Sequence, residues 1–147
     1  MFSLGGFYDY CKTENIDIML YPNAPTPGAT MRDNANGYYC VSLDFTQIPT
    51  TRVLRTVAMH EEGHLRTGAL HKLHSPFQLS AQSEQRADAK SFQLHLSAEE
   101  IKAAMQAGYT ELWQLAEYFD LDEQYIRKAL SYWEECQDVH FDTTDED

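Results

Sequence analysis

The sequence predicts an α+β fold in which a small antiparallel three-stranded sheet packs on one long helix and is followed by a helical C-terminal part. Short apolar segments at 17–21, 29–33 and 38–44 are separated by loops rich in Pro, Gly and Asn, and they predict the three strands. Residues 50–65 contain no Pro and begin with an apolar run, which predicts the long helix. Segments with helical periodicity recur from about residue 80 onward and predict the C-terminal part.

The N-terminal elements follow from residue type. Residues 3–14 place apolar side chains at helical spacing, although a pair of glycines weakens this helix. The segment YPNAPTPG at 21–28 carries three prolines and cannot form a helix, so it is a loop. Asn36 and Gly37 both tolerate positive φ, and this pair predicts a hairpin turn before the best strand, YYCVSLD at 38–44.

The remaining helices are predicted from their caps. Thr50 or Thr51 can cap the long helix, because a Thr hydroxyl accepts a hydrogen bond from the first turn. The later helices, each with its predicted cap, are 80–96 (Ser80 or Ser83), 97–107 (Ser97, in a capping box), 110–119 (Thr110) and 122–136 (Asp122).

The 147 residues are enough for one domain with a sizeable core, and 43% of them are hydrophobic, as in globular proteins. Three parts can be distinguished within it. Residues 1–96 contain the sheet and the long helix, and residues 97–136 form a helical subdomain that includes TELWQLAEYFDLDEQYIRKAL, which resembles a helix-turn-helix. Residues 137–147 form an acidic tail.

Composition excludes several partners. A net charge of −12 argues against DNA phosphates or an anionic membrane as the main partner, and no apolar run approaches the length of a membrane span. The three cysteines, Cys11, Cys40 and Cys136, are widely spaced, so we expect free thiols, as in a reducing cytosol. The N-terminus lacks the basic residues of a secretory signal, and we therefore expect a cytoplasmic protein.

The long helix contains HEEGH at 60–64, which has the pattern H-E-x-x-H. His60 and His64 are four residues apart, so on a helix both imidazoles project from one face and can bind one metal ion. Glu61 lies beside them, where its carboxylate can hold a water at the metal. Two His ligands with a neighbouring carboxylate are typical of a zinc hydrolase, so we expect one Zn²⁺ per chain.

A third protein ligand is expected from the next helix. Glu84 and Asp88 are four residues apart and share a helix face, so either carboxylate could complete the set. We prefer Glu84 because its longer side chain reaches farther, and Asp88 remains the competing ligand. A carboxylate at this place can also accept the ring N–H of a His ligand and fix its orientation.

H-E-x-x-H followed by E-x-x-x-D resembles the pattern of the gluzincin metalloproteases. More closely, the segments HEEGHLRTG, EQRADAKSFQLHLS and TELWQLAEYFDLDEQYIRKAL resemble the ImmA/IrrE family of small bacterial and phage metallopeptidases. The resemblance covers roughly residues 10–133 and implies a zincin-like core at 1–96 whose active-site helix carries the motif. The sequence departs from the family where Ser97 stands at the place of a common Pro.

By position, the resemblance implies that His60, His64 and Glu84 are zinc ligands, that Glu61 is the catalytic base and that Asp88 supports a His ligand. It also implies a zinc-dependent endopeptidase that cleaves a regulatory protein. The expected substrate and partner is a helix-turn-helix repressor of a phage or another mobile element.

Two other functions are weighed against this one. A non-catalytic protein-binding module could use the same fold to sequester a repressor or an antitoxin-like partner. DNA binding through the C-terminal helices is disfavoured, because Arg127 and Lys128 of the second helix are offset by Asp122 and Glu123.

Further contacts are suggested by residue type and rough location alone. Strand 38–44 could bind an extended substrate along the sheet edge or could equally be an inner strand. Glu62 is expected to be an ordinary surface residue. Arg66 could pair with an acidic group, although a solvated side chain is preferred. Candidate substrate or oxyanion contacts, for each of which plain packing or solvation is the alternative, are Tyr38, Tyr39, His71 and His74.

Overall fold

The computed structural model describes residues 1–32, 35, 37–68 and 77–141, and the fold is α+β, as predicted. The helices are α1 (Leu4–Thr13), α2 (Thr51–Thr67), α3 (Phe77–His95), α4 (Ala98–Gln106), α5 (Leu112–Phe119) and α6 (Glu123–Ser131). The strands are β1 (Asp17–Leu20), β2 (Gly28–Arg32) and β3 (Tyr39–Leu43). A 3₁₀ turn at Phe45–Gln47 precedes α2, and a π-helical turn at Tyr132–Cys136 continues α6.

The sheet is mixed, so the prediction of a purely antiparallel sheet was wrong. The strand order is β1-β3-β2, in which β3 runs parallel to β1 and antiparallel to β2. The loop after β1 crosses the end of β3, where the Asp44 carboxylate accepts a 2.9 Å hydrogen bond from the Ala24 N–H. The Asp44 N–H in turn donates to the Pro27 carbonyl at 2.8 Å. Because the loop passes over the end of β3, strands β1 and β2 lie on either side of β3.

Because β3 lies in the centre of the sheet, it is paired on both sides and cannot add a substrate strand. Its side chains Val41 and Leu43 are 0% and 5% exposed, in keeping with an inner strand. The predicted hairpin turn before it is described only in part. Gly37 has a φ of +76°, which favours glycine, whereas Asn36 lies outside the described residues.

The residues that flank helix α2 explain where it begins and where it ends. The Thr50 hydroxyl accepts a 3.1 Å hydrogen bond from the Val53 N–H, which identifies Thr50, rather than Thr51, as the N-cap. Gly68 ends the helix with a φ of +64°, a conformation that costs glycine little. Helix α2 is therefore two residues longer at its C-terminal end than predicted.

Some N-caps of the later helices were predicted correctly and others were not. The Ser97–Glu100 capping box at the start of α4 is confirmed. Helix α3 begins at Phe77, so neither Ser80 nor Ser83 is its cap. Glu111, not Thr110, is the N-cap residue of α5.

Helices α4 to α6 complete the same core that the N-terminal elements begin. The largest fully buried side chains come from both parts of the chain and include Val41, Met59, Phe92, Ile101, Leu115, Phe119 and Ile126. All three cysteines are free, as expected. Within the described part of the chain, no helix is both long enough and apolar enough to cross a membrane.

Candidate metal centre

The two histidines of α2 and Glu84 of α3 meet at one point. The Nε2 atoms of His60 and His64 are 3.2 Å apart. Glu84 reaches both rings, with Oε2 2.7 Å from His60 Nε2 and Oε1 3.2 Å from His64 Nε2. The three side chains form a cluster that could hold a metal ion.

The atoms of the cluster are slightly closer together than the ligand atoms of a tetrahedral metal site. Ligand atoms bound about 2.0–2.2 Å from zinc, for example, lie about 3.3–3.6 Å from one another at the corners of a tetrahedron. The nitrogen and oxygen atoms of the cluster are separated by 2.7–3.2 Å, so a small outward shift would admit the ion. The His64 side chain is only 6% exposed, whereas that of Glu84 is 42% exposed, which leaves one side of the cluster open to solvent.

Asp88 orients His60 from the far side of the ring. Its Oδ1 atom lies 2.7 Å from His60 Nδ1, so it accepts the ring N–H when the proton resides there. This hydrogen bond orients the ring so that Nε2 faces His64 and Glu84. The geometry favours Glu84 as the third ligand, because Asp88 contacts the opposite nitrogen of the same ring.

The cluster concentrates negative charge around the two rings. Burial lowers the pKa of His60, but hydrogen bonds to Asp88 and Glu84 outweigh it and raise that pKa to about 10. Hydrogen bonds from His60 and His64 hold the pKa of the Glu84 carboxyl well below its usual range. Without a metal, the His60 imidazole is therefore protonated at neutral pH, and a bound divalent cation would displace that proton.

Glu61 is buried beside the cluster and is held by the sheet. The Thr30 hydroxyl of β2 donates a 2.7 Å hydrogen bond to Glu61 Oε1, and the Glu61 residue is 4% exposed. Strand β2 lies directly on α2, since a Cβ atom at Gly28 would fall 2.5 Å from Val57 Cγ1. Thr30 could not be predicted from the sequence, because its contact with Glu61 depends on where β2 crosses the helix.

A cleft of about 560 Å³ opens over these groups. Strand β2 and helices α2, α3 and α6 form its walls, and α6 contributes Tyr125 and Lys128. The Tyr125 ring lies edge-on to His60, with ring centroids 6.4 Å apart. Helix α6 thus helps to enclose the candidate metal centre, and this role was not predicted from its sequence.

The other candidate contacts lie elsewhere or are not described. Tyr38 is 57% exposed and precedes β3, and Tyr39 packs under the Arg32 guanidinium at 5.9 Å. Neither tyrosine is among the described residues that line the cleft. His71 and His74 lie outside the described residues.

Glu62 is not the ordinary surface residue that was predicted, and Arg66 pairs with its carboxylate, which was the alternative to a solvated side chain. Glu62 is 2% exposed, and its Oε2 atom accepts from Arg66 Nε at 2.6 Å and lies 3.0 Å from His95 Nε2. Burial raises the pKa of Glu62, but the hydrogen bonds from His95 and Arg66 outweigh it and leave that pKa below its usual value. Arg66 also covers the Tyr10 ring at 4.0 Å. This cluster anchors α2 on the side away from the metal centre.

No family model, no curated protein and no solved structure matches this chain. The assignment of a candidate metal centre therefore rests on the arrangement of His60, His64, Glu84, Glu61 and Asp88.

Proposed function

We propose that the protein is a zinc-dependent endopeptidase that hydrolyses a peptide bond in a regulatory protein. The observation that carries this proposal is the convergence of His60, His64 and Glu84 beside the buried carboxylate of Glu61 in one cleft. Two His and one Glu with an adjacent Glu are the donor set of a zinc peptidase with three protein ligands. The crossing of β2 over the motif helix supports a zincin-like packing of the core.

Zinc held by His60, His64 and Glu84 would polarise the substrate carbonyl and make a water acidic enough to attack it. Glu61 would accept the proton of the attacking water and pass it to the leaving nitrogen. Thr30 holds Oε1 of Glu61, which keeps the carboxylate in place during both transfers. Strand β2 is an edge strand beside Glu61, so an extended peptide could lie along it.

The resemblance to ImmA/IrrE proteins supports a helix-turn-helix repressor of a mobile element as the substrate. A cytoplasmic location suits such a substrate and the three free thiols. Helix α6 forms one wall of the cleft. This position supports a structural role for the helix-turn-helix-like segment rather than DNA binding.

The first prediction separates metal binding from catalysis. Glu84→Ala should lose stoichiometric zinc, because one of three ligands is removed. Glu61→Gln should keep zinc and cleave a helix-turn-helix repressor at least about 100-fold more slowly, because it removes the general base. Zinc is measured by elemental analysis, and cleavage by mass spectrometry with and without chelator. Glu99→Gln, which changes an exposed acid on α4, is the matched control.

Two outcomes would contradict the proposal. Full zinc content in Glu84→Ala would show that the ligand set is wrong. Full relief of repression by Glu61→Gln, with the repressor intact, would favour the protein as a non-catalytic module that sequesters its partner.

A further inference from the structure

A second cavity adjoins the candidate metal centre. It measures about 1020 Å³ and lies between α3, α6 and the π-helical turn. Glu84 and Lys128 line both this cavity and the metal-centre cleft. A peptide bound across the metal centre could therefore continue from one cavity into the other.

The second cavity is lined by basic side chains in a chain of net charge −12. Arg86, Arg127 and Lys128 are all exposed along it. Among the described residues, neither Arg86 nor Arg127 has an ion-pair partner. Lys128 Nζ lies 3.8 Å from Asp88 Oδ2, and the Lys128 side chain is 63% exposed, so a ligand in the cavity can reach it.

The acidic side chains of the cavity are largely engaged. Glu84 contacts both metal-site histidines, and Asp88 is hydrogen-bonded to His60. Glu135 of the π-helical turn is the remaining acid on the wall. A divalent ion at the histidines would add further positive charge nearby, so the cavity favours an anionic occupant.

The remaining surface of the cavity suits a peptide better than a nucleic acid. Ala89 and Tyr132, which are both half-buried, give it apolar surface between the charged groups. A nucleic acid backbone needs a row of cations without opposing charge, whereas Glu135 and the acidic chain as a whole would repel it. π-Helical turns also recur at functional sites.

We propose that this second cavity binds an acidic segment of a protein substrate on one side of the bond to be cleaved. Arg127 and Lys128 pair with Asp or Glu side chains of that segment, and apolar side chains between them contact Tyr132. The proposal rests on the proposed endopeptidase function for its substrate, but its test measures binding and requires no cleavage.

The test compares three fluorescein-labelled peptides of equal length. All three share the same Leu and Gly residues, and the positions that alternate with them carry Glu in one peptide, Gln in the second and Lys in the third. Binding to the zinc-loaded Glu61→Gln protein is measured by fluorescence anisotropy at physiological salt. The Glu peptide should bind about fivefold or more tightly than the Gln peptide, as expected for two exposed ion pairs. The Arg127→Glu/Lys128→Glu double variant should lose this preference and favour the Lys peptide.

The control variant Lys12→Glu/Lys102→Glu makes the same change in net charge on α1 and α4, away from the cavity. It should bind all three peptides as the parent protein does. Equal binding of the Glu and Gln peptides, no binding of any peptide, or an equal loss in the control variant would overturn the proposal. Tighter binding of a labelled DNA duplex than of the Glu peptide would overturn it in favour of a nucleic acid site. Because the assay measures binding alone, its failure would remove this inference and leave the endopeptidase function to the separate zinc and cleavage measurements.

Discussion

His60 is the residue on which the metal centre depends most, because each ring nitrogen has a separate partner. Nδ1 faces Asp88 and Nε2 faces Glu84, at 2.7 Å in both cases. A neutral imidazole with its proton on Nδ1 presents a lone pair on Nε2, which is the form that binds a metal. Asp88 would therefore favour the His60 tautomer that can bind a metal ion together with Glu84 and His64.

Asp88→Asn should weaken zinc binding about 10- to 100-fold while the fold is retained, because an amide is a poorer acceptor for the His60 N–H. Zinc affinity is measured by competition with a chromophoric chelator. Asp9→Asn, which changes an exposed acid on α1, should leave the affinity unchanged. Unchanged affinity in Asp88→Asn would contradict the orienting role.

Residues of the site differ in how far the sequence could predict them. His60, Glu61 and His64 follow from helical spacing alone, since positions four apart lie on one helix face. Thr30 and Tyr125 could not be predicted, because they reach the site from β2 and α6 through tertiary packing. A threonine in a strand and a tyrosine in an amphipathic helix carry no local sign of such a role.

At the level of elements, the close crossing of α2 and α3 brings the ligands together. Gly63 faces the backbone of α3, where a Cβ atom would lie 2.1 Å from the Ala87 carbonyl oxygen. The Ser91 hydroxyl donates a 2.6 Å hydrogen bond to the Met59 carbonyl and joins the two helices at the same place. This close approach lets Glu84 reach the histidines of α2.

Gly63→Ala should lower the free energy of unfolding by about 3 kcal/mol, because the added methyl group overlaps a backbone oxygen that cannot move freely. Urea unfolding followed by circular dichroism measures the change. Gly5→Ala on α1 is the control, since its Cβ would have no neighbour within 4 Å. It should be neutral or slightly stabilising, owing to the higher helix propensity of alanine. Equal stability of both variants would contradict the close crossing.

At the level of the whole molecule, Arg55 joins α2 to the N-terminal segment and to the end of α5. Its guanidinium donates to the carbonyl oxygens of Phe2 and Phe119 at 3.0 and 3.2 Å, and to that of Asp120 at 3.0 Å. The last two carbonyls end α5, where a cation also complements the helix dipole. The side chain is 15% exposed, so these contacts are largely shielded from water.

Arg55→Met should lower the free energy of unfolding by about 2–3 kcal/mol, because it leaves buried carbonyl groups without a donor. Arg52→Met removes a pair with Asp120 in which the side chains are 39% and 48% exposed. That control should lower the free energy of unfolding by less than about 1 kcal/mol.

Thermal unfolding of the parent protein should be a single transition. Separate unfolding of the C-terminal helices would argue against a shared core.

The α+β class, most element positions and the motif residues could be predicted from the sequence, because they depend on local periodicity, capping and helical spacing. The mixed strand order could be read only from the folded chain, since the insertion of β3 between its neighbours leaves no local trace in the sequence. The burial of Glu62 is also visible only in the folded chain, because the helix pattern does not reveal that Arg66 and His95 meet its carboxylate. The pairing of Glu84 with the histidines and of Asp88 with His60 likewise required α3 to cross α2 at Gly63, a contact between distant parts of the chain.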